Sequence, residues 1–197
     1  LTGQEKIEIN WIGEGLPALV DIIMKNYETY GEMDQLEGKE IPSKKTIIEV
    51  LDDLLTIIFP GYLGKTEITK SNVKYILGNT LNTVFMKLVA EVEKSLKHLS
   101  SKNKLFPEVC HRQAEIVVKE LLEKIPEIRE LLSGDIEAAY KGDPAAISTE
   151  EVILSYPYVL AIATYRIAHE LYLRSVPLIP RIMTEHIHAL TGIDIHP

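Results

Sequence analysis

Along most of this chain, apolar residues recur at spacings of three and four, the period that lays one stripe of a helix against a core. Ile47, Ile48, Val50, Leu51, Leu54, Leu55, Ile57 and Ile58 form one such run. Ser43 stands before it as an N-cap and Pro60-Gly61 breaks it, so the pattern predicts a helix over about 43–59. A second run, from Val73 through Leu81 and Leu88 to Leu96, predicts a long helix over 71–99 capped by Ser71. Its wide apolar face requires a partner helix. Pro107 suits the first turn of a third helix over 107–132, which Pro126 is expected to interrupt because proline lacks the amide proton. Ser133-Gly134 ends it, a short helix follows over 135–141, and Gly142 closes that helix before a turn at Asp143-Pro144. Ser148 and Glu151 have capping-box spacing at the head of a helical stretch over 149–174. Within it Pro157 opens a segment apolar almost all round, the mark of a central helix. Its polar residues Arg166, His169, Glu170 and Arg174 share one side. Pro177 and Pro180 lead into a last helix over 178–191, ended by Gly192, after which Ile193-Asp194-Ile195 alternates like the start of a strand. The expectation is an all-α fold, one multi-helix domain over 1–192, with a short extended stub at 193–197. The first 40 residues, with Trp11 and Gly13-Glu14-Gly15, carry no readable motif.

Composition narrows the function classes. With 197 residues, of which 46% are apolar, the chain can build a sizeable core. Lys and Arg number 21 against 29 Asp and Glu, and the net charge of -8 repels a phosphate backbone, so no nucleic-acid partner is expected. The uncharged apolar stretch from Ser155 to Tyr165 is far shorter than the roughly 20 residues that cross a bilayer, and no membrane partner is expected either. A single cysteine, Cys110, cannot form an internal bridge, which points to a reducing compartment and a cytoplasmic location. The chain does not start with Met, and no signal peptide is legible at its head.

Candidate chemistry concentrates near the C-terminus. His169, His186, His188 and His196 all fall in the last 29 residues, and imidazole is readily poised near neutral pH. His186 and His188 lie about 200° apart on a helix and cannot grip one ion together, so no metal site is expected. That argument also disfavours a metal-dependent hydrolase. Asp143 before Pro144 reads first as a turn initiator. Asp194 and His196, two apart in an extended segment, project from one face and could act as an acid-base element. Cys110 and His111 are adjacent on a helix, do not face each other, and read as structural. From the residues alone this is an acidic helical domain with a histidine-rich C-terminal end.

Three ordered stretches go further. Ala138-Ala139-Tyr140-Lys141-Gly142-Asp143-Pro144-Ala145-Ala146 is followed by Tyr165-Arg166-Ile167-Ala168-His169-Glu170-Leu171, then by Pro180-Arg181-Ile182-Met183-Thr184-Glu185 continuing to Thr191-Gly192-Ile193-Asp194-Ile195-His196-Pro197. In order and spacing they resemble the serine O-acetyltransferase family, and Phe59-Pro60-Gly61-Tyr62 is similar to a feature of its longer bacterial members. The resemblance covers about residues 45–197 and is tightest over 135–197. It implies a helical N-terminal domain that leads into a left-handed parallel β-helix of hexapeptide repeats, with Gly192 to Pro197 at the start of the first coil.

The implied reaction moves an acetyl group from acetyl-CoA, a co-substrate and not a bound cofactor, to the hydroxyl of L-serine. The product, O-acetylserine, serves cysteine biosynthesis. A histidine acts as general base, and a carboxylate orients it. By the resemblance Asp194 is that carboxylate, its histidine lying about fifteen residues further on, beyond Pro197. Asp143 corresponds to the carboxylate that binds the amino group of serine and of the feedback inhibitor L-cysteine. His196 lies beside this pocket and is given no role. The family's repeats and its acetyl-CoA wall fall outside these residues, so a truncated and inactive fragment is expected. The alternative is a non-catalytic helical oligomerisation module, a homo-oligomer built through the helices of 43–100. The resemblance also implies O-acetylserine sulfhydrylase as a partner, through a C-terminal tail that is not among these residues.

Overall fold

The computed structural model describes residues 10–36, 41–64, 67–100 and 107–197. Among the described residues it contains seven α-helices and no β-strand. The chain divides into two compact units, Leu1–Lys39 and Glu40–Pro197. In the first unit a π-helical turn, Trp11–Gly15, runs into α1, Leu16–Thr29, and a 3-10 turn at Gly31–Met33 follows. The Asn10 side chain accepts the Gly13 amide at 3.1 Å, and Pro17 stands where the π-helical turn passes into α1. Leu16, Leu19, Ile23 and Tyr27 form an exposed apolar stripe on α1.

The second unit is a bundle of α2 (Lys44–Ile58), α3 (Val73–Ser100), α4 (Pro107–Gly142), α5 (Thr149–Ser155), α6 (Pro157–Leu173) and α7 (Ile179–Thr191). Ser43 caps α2 as expected, its hydroxyl accepting the Thr46 amide at 3.3 Å. The Ser43 amide in turn donates to the buried Glu91 of α3 at 2.6 Å, and Lys87 pairs with Glu49 at 2.9 Å. These contacts fix α2 and α3 antiparallel. The long helix begins at Val73, two residues later than expected, and the Ser71 hydroxyl hydrogen-bonds Thr69 Oγ1 within the preceding turn. Its first two turns bury nothing; Val84, Leu88, Val89 and Val92 carry its share of the core.

Two expected boundaries differ. No break occurs at Pro126 or Ser133-Gly134: 107–132 and 135–141 are one helix of 36 residues. Its buried stripe, Leu121, Ile125, Ile128, Leu132 and Ile136, keeps helical phase straight through the proline. Pro126 itself is exposed. Conversely, the stretch over 149–174 is two helices. Tyr156 takes the extended backbone (φ -91°, ψ 111°) that a following proline imposes, and Pro157 starts α6 afresh. The Ser148 hydroxyl accepts the Glu151 amide at 3.2 Å, and the Glu151 carboxylate reaches back to the Ile147 amide at 2.8 Å.

The central position expected of α6 is observed. Val159, Ala161, Ala163, Ile167, Ala168 and Leu171 are buried on it. Its polar side faces α4, where Arg166 pairs with Asp135 at 2.7 Å and Arg174 with Glu120 at 2.8 Å, so α4 and α6 run antiparallel. Each fully buried Leu or Ile stabilises the bundle by about 1.5–3 kcal/mol. At the entrance to α7, Leu178 adopts a positive φ of 63°, the Ile179 amide closes back on the Pro177 carbonyl, and the Ser95 hydroxyl donates to that same carbonyl. Among the described residues no helix is long and apolar enough to cross a membrane.

Candidate functional site

Asp143 follows directly on α4, whose last residue is Gly142. The turn expected at Asp143-Pro144 forms. The Ala146 amide closes a turn on the Asp143 carbonyl at 3.1 Å, and Asp143 Oδ1 accepts the Ala145 amide at 2.9 Å. The other oxygen, Oδ2, accepts the Tyr156 hydroxyl at 2.5 Å. These bonds, the Tyr156 hydroxyl first, hold the Asp143 carboxyl below its ordinary range. The Tyr156 phenol is pushed up to about 12, chiefly by the same bond. Asp143 is therefore a pre-oriented anion at neutral pH. A carboxylate has roughly four lone-pair sites, so after these two bonds it can still accept from an ammonium group.

Asp194 lies three residues beyond α7. Gly192 ends that helix in the left-handed region (φ 72°), its amide on the His188 carbonyl at 2.8 Å, a C-cap that a residue with Cβ adopts only with strain. Thr191 Oγ1 donates to the Ile187 carbonyl at 2.7 Å and accepts the Ile193 amide at 3.2 Å. Residues 193–197 have no regular secondary structure, while Ile193 packs on the core. The segment lies back along the exposed face of α7. Asp194 Oδ1 is 3.9 Å from His188 Nδ1, and His196 Nδ1 accepts from Arg181 Nη1 at 2.9 Å. Glu185 joins the set, 2.7 Å from Arg181 Nε and 3.9 Å from His188 Nδ1.

The two carboxylates have separate partners, and no hydrogen bond joins them. They nevertheless share one end of the α6–α7 pair. Leu160, in the first turn of α6, lines one cleft with Ile187 and Leu190 from the last turns of α7, so the two helices are antiparallel. Tyr156 tethers Asp143 at the head of α6, and Asp194 follows the tail of α7.

Of the other candidates, His111 binds Glu93 across α3 and α4 at 2.7 Å, Cys110 is buried and forms no disulfide, and His169 stacks on Tyr165 at a centroid distance of 5.3 Å. Among the described residues no group of three His, Cys, Asp or Glu side chains could hold a metal ion. Sequence reasoning missed Tyr156, Arg181, Glu185 and His188 as neighbours of the two aspartates. Arg181, Glu185 and His188 carried a signal in their i, i+4, i+7 spacing, whereas Tyr156 carried none.

The class the fold defines is an all-α helical bundle, with one acidic group tethered near the head of α6 and a second beyond the tail of α7. No protein-family model matches the chain. Over 160 residues it is 36% identical to a plasmid-encoded serine acetyltransferase of Synechococcus elongatus, covering 80% of this chain and 50% of that protein. Over 66 residues, 34% of this chain and 29% of that protein, it is 47% identical to a serine acetyltransferase of Mycobacterium tuberculosis. Serine acetyltransferase 1 of Entamoeba histolytica, solved in complex with L-cysteine, superposes with a TM-score of 0.58 at 30% identity, covering 92% of this chain and 62% of that one. Isoform 3 of the same organism, solved with cysteine, gives a TM-score of 0.61 at 28% identity over 92% of this chain and 60% of that one. The chain is a homologue of the serine acetyltransferases, and it spans about half the length of the Synechococcus relative.

Proposed function

We propose that the full-length gene product is a cytoplasmic serine O-acetyltransferase, with Asp143 and Asp194 forming part of its amino-acid site. In this reading the serine hydroxyl oxygen bonds to the acetyl carbon of acetyl-CoA and the thioester C–S bond breaks. The hydroxyl proton passes through an imidazole to the departing thiolate. That imidazole comes from outside these 197 residues, and Asp194 orients it. Asp143 receives the ammonium group of L-serine, and of L-cysteine as inhibitor, in a charge-assisted hydrogen bond. The observation that carries the reading is the shared fold, at 30% identity, with an enzyme crystallised with L-cysteine. The free acceptor capacity of Asp143 and its place at the same end of the helix pair as Asp194 support it.

The test is a coupled thiol-release assay on the full-length gene product. Asp194→Ala should lower turnover on the order of a hundredfold, the scale of a misoriented general base. Asp143→Ala should raise the KM for serine and weaken cysteine inhibition together. Wild-type turnover in the first variant, or unchanged serine KM and cysteine inhibition in the second, would overturn the assignment. The 197-residue chain incubated with serine and acetyl-CoA should release no thiol.

A second reading, an assembly role for the helices, draws on the exposed stripe of α1 and the exposed Val73, Tyr75 and Leu77 of α3. The helix over 43–59 does not serve it, since Ile47, Val50, Leu51 and Leu54 are consumed by the chain's own core. Light scattering that found only monomer at high concentration would end this reading.

A further inference from the structure

Arg181, Glu185 and His188 occur at i, i+4 and i+7 and so share one face of α7. Across that face lies the segment after Gly192, whose Asp194 and His196 are two apart and project to the same side. Each meets a cationic or imidazole group of the helix. Glu185 Oε1 holds Arg181 Nε at 2.7 Å, which leaves Nη1 to donate to His196 Nδ1 at 2.9 Å. A guanidinium can only donate, so Nδ1 of His196 is the acceptor and the ring proton is on Nε2. His188 Nδ1 stands 3.9 Å from both Glu185 Oε2 and Asp194 Oδ1, within reach of a bridging water.

We propose that Arg181 and His188 are positioning residues that seat the Asp194–His196 segment on α7, Arg181 fixing His196 as its Nε2–H tautomer and His188 setting the place of the Asp194 carboxylate. His196 then presents an N–H donor on the side of its ring away from Arg181. The catalytic consequence rests on the function proposed above; the docking and the tautomer do not.

Two measurements separate the parts. Nitrogen-15 NMR of the imidazoles in the 197-residue chain, taken with the rings neutral, should show His196 protonated at Nε2. Arg181→Met should give a mixture of tautomers, and Arg181→Lys, which keeps a donor, should retain part of the bias. The Arg181 side chain is 60% exposed, so these variants leave the core untouched. The same tautomer in wild type and Arg181→Met would overturn the proposal. In the full-length gene product, Arg181→Met and His188→Gln should each lower kcat/KM by about tenfold, with Arg181→Lys intermediate. Wild-type kcat/KM in both variants, with Asp194→Ala inactive, would refute positioning while leaving the proposed function standing. An active Asp194→Ala would refute the proposed function, and the tautomer measurement would still decide whether Arg181 seats the segment.

Discussion

Replacing Pro126 by alanine tests whether α4 is continuous. A proline inside a helix forfeits one backbone hydrogen bond and crowds the carbonyl four residues earlier, a cost of about 3 kcal/mol relative to alanine. Pro126 lies 19 residues into a 36-residue helix, so that cost applies in full. It is exposed, and the buried stripe on either side of it is carried by Leu121, Ile125, Ile128 and Leu132, so alanine there removes no core contact. Against the gain stands the freer unfolded chain, which returns up to about 1 kcal/mol. Pro126→Ala should therefore stabilise the protein by about 2 kcal/mol. For a chain of this size that raises Tm by about 4–8 °C. Thermal unfolding followed by circular dichroism measures the shift, and urea unfolding with an unchanged slope confirms that the native state gained stability. Were Pro126 the first residue of a separate helix, its missing N–H would cost nothing and its fixed φ would help. An unchanged or lowered Tm would thus refute the continuous helix.

Gly134, also inside α4, has nothing within 4 Å of where a Cβ would stand, so Gly134→Ala should add about 0.5–1 kcal/mol in the same assay, and a loss would place it outside a helix. Glu91→Ala should cost about 2–3 kcal/mol by leaving the Ser43 amide without its buried acceptor, with Glu91→Gln milder; equal losses would assign the effect to packing instead. The hydrogen bond to Glu93 raises His111 above its ordinary value of 6.5, a shift that favours the folded state. That contribution is complete below about pH 6.5 and lost as pH rises through the higher folded value. An NMR titration should find the midpoint raised in wild type and back toward 6.5 in Glu93→Gln, and a midpoint at or below 6.5 in wild type would contradict the pairing.

Much of the helical fold was legible in the residues, because a 3.6-residue apolar period, a Ser43 cap, a Ser148–Glu151 box and a Gly142 or Gly192 stop are local statements. The motifs around the two aspartates singled them out as candidates. Their surroundings were not legible. Tyr156 reaches Asp143 across 13 residues, and nothing in a tyrosine before a proline announces which carboxylate its hydroxyl will meet. Arg181 and His196 lie 15 residues apart, and only the reversal at Gly192 brings them together.

The prolines show where the division falls. Sequence alone determined that each of Pro126 and Pro157 withholds an amide proton and that the residue before it prefers an extended backbone. Tertiary packing decided the outcome at each. At Pro126 an unbroken buried stripe from Leu121 to Ile136 outweighs the lost hydrogen bond, and the helix continues. At Pro157 the chain turns, Tyr156 extends, and its hydroxyl settles on Asp143. A local preference is worth a few kcal/mol at most, and several buried side chains on one face are worth more. At Pro126 the packed stripe therefore overrides the proline, while at Pro157 the local preference stands and the helix ends before it.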